Sequence, residues 1–207
     1  MKDMGYELYD YVKFKTKEKN IIGYVVSKYF NGEGVIHFYD IYSEIEEAYI
    51  NHVPESELHL LAKSNSMACK ALKLAVNVHK NQVDLVGEPY INHIVAVGEK
   101  VKKFKDDDLL TVAYLHDILE DTYITEDILR CIFPDDIVDA VRSITKSDKY
   151  QPYEEYIQIV KLNELSRIVK LADLEHNLVL SRIKDYTSKD LLRIKKYRKA
   201  VKELSNL

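Results

Sequence analysis

The sequence holds two cysteines and no CxxC pair. Cys69 and Cys131 lie far apart on stretches that read as apolar helical faces. That spacing argues against a disulfide framework or a thiolate metal site and predicts two buried small hydrophobes. Positive charge is not in surplus either: 30 Lys and Arg stand against 34 Asp and Glu, a formal net charge of −4. Non-specific attraction to nucleic acid needs the opposite balance on one face, so no nucleic-acid partner is expected, and an anionic ligand must be met by local cations. No apolar run approaches the roughly 18 residues of a membrane span. The opening MKDMGYELYDY lacks a basic segment followed by an apolar one, so neither a leader nor a membrane partner is expected and a cytoplasmic protein is. What is present is 46% hydrophobic content over 207 residues, enough to bury a real core.

The character of the chain changes near residue 62, which predicts a small β domain over 1–61 and a helical domain over 62–207. Tyr11 to Lys15 alternates with period two, Ile21 to Val26 is β-branched around Gly23, and Val35 to Tyr42 is rich in aromatic and β-branched residues. The stretches TKEKN and NGEG supply turn chemistry between them, and Glu57 to Leu61 reads as a closing strand. Half of the sixteen tyrosines and four of the six glycines fall in this segment, which suits a small curled, barrel-like antiparallel sheet. Its expected role is to pack on the helices, to mediate self-association or to meet a protein partner. From Ser66 the period is helical: Ala68, Ala71, Leu72, Ala75, Val76 and His79 share one stripe. Further helices are expected from Pro89 to Val101, Asp108 to Leu119, after Thr125, over Pro134–Ile144, Tyr153–Leu162 and Ser166–Arg182, and from Ser188 onward. The fold class is therefore mainly α, a helical bundle behind an N-terminal antiparallel β domain.

Within the third helix AYLHDILEDT sets His116 beside Asp117 and follows them one turn later with Glu120 and Asp121. Three carboxylates within a turn repel one another, and a cation reverses that sign. The apolar neighbours Leu115, Ile118 and Leu119 turn some of these groups inward, where charge needs a partner or a metal. His93, after GEPYINH, and Asp173, within the apolar IVKLADLEHNL, are candidate companions. Two imidazoles and two carboxylates suit Mn, Fe, Co or Zn. Spacing alone does not join them.

In this order and spacing GEPYINH, AYLHDILEDT, ITK and VKLADLEHN resemble the hydrolase domain of the RelA/SpoT alarmone family, a branch of the HD phosphohydrolases. The resemblance covers roughly residues 66 to 182. It implies an HD-type bundle, a metal held by His93, His116, Asp117 and Asp173, manganese being the usual ion, and a water-activating pair Glu120 and Asp121. It also implies that Asn177 lies beside the nucleotide. The activity implied is removal of the 3′-pyrophosphate from guanosine 3′,5′-bis(diphosphate), and the chain's length suggests a small stand-alone hydrolase. One departure stands out: Asp84, Leu85 and Val86 occupy the place where the family has a basic pair before GEPY.

The chemistry fits the residues on its own terms. A divalent ion on two histidines and two aspartates acidifies water and neutralises a phosphoryl oxygen, while Glu120 and Asp121 can accept the proton. Cations must hold the distal phosphates, and Lys146 of ITK and Arg182 of LSRI are the candidates. Lys80 is a candidate substitute for the missing basic pair. His79 and His176 are expected to be structural. Two alternatives remain open: a metal hydrolase for another nucleotide or phosphorylated metabolite, and a non-catalytic module that binds a nucleotide while the β domain contacts a protein. A binding module gains nothing from Glu120 and Asp121 beside phosphate.

Overall fold

We describe the fold from a computed structural model, which defines residues 5–30, 34, 36–84, 87–146, 148, 150–178 and 187–206. The chain forms two compact units, Met1–Lys80 and Asn81–Leu207. Strand gives way to helix between Ala62 and Met67. The division between the units falls after the first helix.

The first unit is a five-stranded sheet of β1 (Tyr11–Lys15), β2 (Asn20–Phe30), β3 (Ile36–Ser43), β4 (Ala48–Pro54) and β5 (His59–Ala62), in the order β4-β3-β2-β1-β5. Each neighbouring pair is antiparallel. The alternation read in YVKFK buries Val12 and Phe14 beside Ile21, Val25, Tyr39, Ile41, Val53 and Leu58. In the TKEKN turn the Thr16 hydroxyl donates to the Lys19 carbonyl at 2.9 Å. Of NGEG only Gly34 lies within the described residues, with φ +78°. Gly23 has a packing reason: a Cβ there would lie 2.4 Å from the Tyr42 carbonyl oxygen across the β2–β3 ladder. β4 was not among the expected strands, because a bulge breaks its period. Two residues lie between Ile50 and Val53 while one lies between their partners Ile41 and Tyr39, and His52 takes φ +57° with its amide donating to Asp40 Oδ1 at 2.8 Å. Tyr11, Tyr24, Tyr42 and Tyr49 form a row across four strands, with successive ring centroids 5.7, 5.7 and 4.9 Å apart. Helix α1 (Met67–His79) packs on β5, and the Ser66 side chain caps it by accepting from the Cys69 amide. Its stripe is buried as read, His79 included. Lys80, the candidate for a phosphate contact, pairs with Glu47.

The second unit is helical: α2 (Ile91–Val101), α3 (Asp107–Leu115), α4 (Ile118–Asp121), α5 (Glu126–Arg130), α6 (Asp135–Ile144), α7 (Tyr153–Leu162), α8 (Glu164–Asn177) and α9 (Ser188–Ser205). Local chemistry starts several of them. Asp106 accepts from the Leu109 amide, Thr125 from that of Ile128, and Asn163 from that of Ser166. Thr187 and Asp190 form a reciprocal capping box at α9. Asn163, not Ser166, opens α8, so this helix begins two residues before the expected start; residues 179–186, with Arg182, lie outside the described residues. α8 is the central helix, touching α2, α3, α6, α7 and α9. Its apolar face joins Tyr156, Ile157, Val160, Leu174, Ala200 and Leu204 in one cluster, and the Ser166 hydroxyl donates to the Ala140 carbonyl at 2.7 Å. Cys69 is buried as expected, but Cys131 is exposed because it follows the last turn of the short α5. Among the described residues no helix is long and apolar enough to cross a membrane.

Candidate metal centre

The expected helix over Asp108–Leu119 is not continuous. α3 stops at Leu115 and α4 starts at Ile118, with His116 and Asp117 in the turn between them. Asp117 takes φ −102° and ψ 0°, and its carbonyl accepts the amides of Glu120 and Asp121 at 3.2 and 2.9 Å. The break has a chemical result. On an unbroken helix adjacent side chains diverge by about 100°, whereas here His116 Nε2 and Asp117 Oδ2 lie 3.0 Å apart.

Two other helices complete the cluster. His93, in the first turn of α2, brings Nε2 to 3.2 Å from His116 Nε2 and to 3.4 Å from Asp117 Oδ2. Asp173, in the last turns of α8, brings Oδ1 to 3.4 Å from His93 Nε2. His93, His116 and Asp173 are buried, and Asp117, with 17% side-chain exposure, is the least buried of the four. The residues fit a divalent ion. With metal–ligand bonds of about 2.1 Å, donors at right angles lie roughly 3.0 Å apart and donors at a tetrahedral angle roughly 3.4 Å, the range spanned by these contacts.

The tautomers agree with that use. His116 Nδ1 is 2.8 Å from the Ala113 carbonyl, which can only accept, so Nδ1 carries the proton and Nε2 offers its lone pair. His93 Nδ1 meets His176 Nδ1 at 2.8 Å, an arrangement that lets His93 donate backwards and turn Nε2 toward the cluster. The charges also ask for a cation. Burial alone would lower the His93 pKa, but Asp117 and Asp173 outweigh it and push it up to about 9. Burial raises the Asp117 carboxyl, and His116 and His93 more than reverse this, holding it well below the usual carboxylate range. The same two carboxylates that hold a proton on His93 would attract a divalent ion.

Around this cluster stand the residues expected to act on a substrate. Glu120 and Asp121 are exposed at the end of α4. Burial of the carboxyl raises Glu120, the Lys146 amide and the Lys170 charge oppose this, and repulsion from Asp117 and Asp121 adds to it, leaving the group above its ordinary value. The Lys146 main-chain amide approaches Glu120 Oε2 at 3.3 Å. Asn177, expected beside a nucleotide, donates from Nδ2 to Asp173 Oδ1 at 2.5 Å. Asp84, where the basic pair was expected, closes a turn: its Oδ1 accepts the Glu88 amide at 3.0 Å, and Gly87 takes φ +86°.

Three contributors were not read from the sequence in these roles. Tyr90 donates to Asp117 Oδ2 at 2.6 Å and lies 3.1 Å from Asp121 Oδ2, joining the candidate ligand Asp117 to the acidic pair. Its i, i+3 relation to His93 was the available signal. His176, expected to be structural, stands behind His93, one of the candidate ligands. Lys170 reaches Asp173 Oδ2 at 2.8 Å with only 15% of its side chain exposed, and a lone lysine among the apolar residues of IVKLADL was the sign of it.

The HD-domain family model matches residues 71–178. A guanosine-3′,5′-bis(diphosphate) 3′-pyrophosphohydrolase of Borreliella burgdorferi is 32% identical over 53% of this chain and 18% of its own length. The bifunctional (p)ppGpp synthase/hydrolase SpoT of Escherichia coli is 26% identical over 67% of this chain and 20% of its own. A GTP pyrophosphokinase of Myxococcus xanthus is 31% identical over 53% and 16%. The chain thus spans about a fifth of the length of these curated relatives. A solved structure of a metazoan ortholog of SpoT, described as hydrolysing ppGpp, superposes with a TM-score of 0.57 at 24% identity, covering 69% of this chain and 87% of that one, and supports the fold. The matched segment covers more than half of the chain and contains His93, His116, Asp117 and Asp173, and the chain belongs to the HD-domain family.

Proposed function

We propose that this chain is a metal-dependent phosphohydrolase that removes the 3′-pyrophosphate of guanosine 3′,5′-bis(diphosphate), and of its pentaphosphate form, with manganese as the ion. The observation that carries the reading is the convergence of His116, Asp117 and Asp173 on His93 Nε2 at 3.2–3.4 Å beside an exposed acidic pair. The alarmone as substrate is supported by the activities for which the relatives are named. We place the reaction in the cytoplasm with the nucleotide pool.

The four residues would hold the ion, which when bound supplies a Lewis acid for a phosphoryl oxygen and lowers the pKa of water. Glu120 accepts the proton of the attacking water, a task that its raised pKa suits. Asp121 is held beside it, with the Tyr90 hydroxyl 3.1 Å from its carboxylate and Gln82 Nε2 donating to its carbonyl at 2.8 Å. Water adds to phosphorus, the ester bond to the ribose oxygen breaks, and the products are pyrophosphate and GDP, or GTP from the pentaphosphate. Lys146 and Arg182 meet the phosphates that are not attacked, and Asn177 borders the nucleotide.

A second reading, hydrolysis of another nucleotide or phosphorylated metabolite, is favoured by one observation: Asp84 and its turn occupy the position of the basic pair. Chromatographic product analysis with Mn²⁺ separates the two. Chelator-sensitive release of GDP and pyrophosphate from the alarmone supports the first. Inertness toward the alarmone with cleavage of another member of a nucleotide panel supports the second.

A further inference from the structure

A lysine is almost never buried without a partner, and the partner that Lys170 has chosen is itself a candidate ligand. Its ammonium sits 2.8 Å from Asp173 Oδ2, while Oδ1 of the same carboxylate takes the Asn177 amide and faces His93. The Tyr156 ring, with its centroid 5.5 Å from Nζ, also lies against the ammonium. Tyr156 cannot turn away freely, because its hydroxyl donates to the Ile144 carbonyl. The cation is therefore fixed on the far oxygen of Asp173.

This arrangement opposes its own purpose if the centre is built only for tight binding. A permanent cation beside a carboxylate draws negative charge away from a divalent ion on the other oxygen and repels that ion directly. Replacing a buried ion pair by apolar packing is often neutral for folding, so fold stability alone does not call for a lysine here. The charge balance does. With two aspartates and a divalent ion the cluster is neutral, and Glu120 and Asp121 beside it add negative charge, so Lys170 offsets part of the repulsion that an anionic phosphoryl group meets there.

We propose that Lys170 is a positioning residue that pins Asp173 as a one-oxygen donor and weakens its hold on a divalent ion, leaving the centre less negative toward an anionic substrate. The inference rests on the metal-dependent reading above and deepens it.

The test is titration of the metal-free full chain with Mn²⁺ in a calorimeter, with no nucleotide present. Lys170→Met should bind Mn²⁺ roughly tenfold tighter or more, and Lys170→Arg, which keeps the charge and can still donate to Asp173, should bind like the parent. Damage to structure loosens a site and cannot produce that tightening. The rise in melting temperature on adding Mn²⁺ should also be larger for Lys170→Met than for the parent, a readout that survives if the variant is marginally stable without metal. Turnover of whichever nucleotide the parent cleaves, at saturating Mn²⁺, should fall at least tenfold in Lys170→Met and return in Lys170→Arg. Binding by Lys170→Met that is equal to or weaker than the parent's overturns the inference, and unchanged turnover overturns its substrate half. A parent that binds no Mn²⁺ overturns the metal centre and the inference together, whereas a wrong substrate leaves the titration unaffected.

Discussion

Gly98 and Tyr114 set the separation of the two helices that bring His93 and His116 together, so a single methyl group at position 98 should be felt at the metal centre. An ideal Cβ there would lie 2.3 Å from Tyr114 Cε1, where ordinary contact begins at 3.4 Å, so something must yield by about 1.1 Å (3.4 − 2.3). Tyr114 is fully buried and has little room to swing. Alanine in mid-helix gains about 0.5–1 kcal/mol over glycine, and overpacking a tight core costs about 1–3 kcal/mol. The clash should win, giving Gly98→Ala a net loss of about 1–2 kcal/mol in urea unfolding of the metal-free chain. Gly98 lies five residues after His93 and Tyr114 two before His116, so parting the helices also parts the two Nε2 atoms, and Mn²⁺ affinity should drop by roughly tenfold. Tyr114→Leu removes the obstructing ring edge, and the double variant should recover at least about 0.5 kcal/mol relative to the sum of the two single changes. A Gly98→Ala protein as stable as its parent, with unchanged metal affinity, would refute the wedge argument.

Three further outcomes are expected. Glu120→Gln and Asp121→Asn should keep Mn²⁺ affinity within about twofold and lower turnover by about 10²-fold or more; unchanged turnover in both removes them from proton transfer. His176→Ala takes away the group that orients His93 and should weaken Mn²⁺ binding about 10–100-fold without unfolding the chain, an effect that calorimetry beside a circular dichroism melt can deny. In the first unit, buried Asp10 accepts from the Glu7 and Ser64 amides at 2.9 and 2.8 Å and pairs with Lys63 at 2.9 Å. Burial raises its carboxyl, but these donors prevail and hold it below its ordinary value, so its stabilisation is complete above the unfolded pKa of about 3.9 and is lost as pH falls through the lower folded value. Asp10→Asn should cost about 1–3 kcal/mol at neutral pH and flatten the acid limb of the melting curve; an acid limb as steep as the parent's assigns it to other carboxylates.

The parts of this molecule that were legible beforehand are those governed by local rules. Thr125 and the apolar stripe of α1 announced themselves because capping and 3.6-residue periodicity involve only neighbours in sequence. β4 did not, since the bulge at His52 shifts its inward residues out of step. The break at His116–Asp117 was hidden for a related reason: nothing in LHDILED is a poor enough helix former to signal an end. Tertiary demand imposes it, with His116 Nδ1 turned back to the Ala113 carbonyl and Asp117 turned to the imidazoles. Of the candidate ligands, HD was visible as a pair, while the joining of His93 and Asp173 to it is a fact of packing between α2 and α8 that spacing could not supply.

That packing explains why α8 carries more of the centre than one ligand. Lys170, Asp173, His176 and Asn177 lie at i, i+3, i+6 and i+7, close to two helical turns, so one face of one helix presents a donor and the groups that orient donors. Lys170 and Asn177 hold the two oxygens of Asp173, and His176 holds the back of His93. A buried carboxylate and a buried imidazole each have rotamers that would satisfy the fold equally well, and orientation must come from groups that move with the ligand. Placing them on the same central helix, gripped by α2, α3, α6, α7 and α9, means that thermal motion displaces ligand and supports together. Had these supports come from separate loops, each would add its own fluctuation to ligand distances that the centre must keep within a few tenths of an ångström.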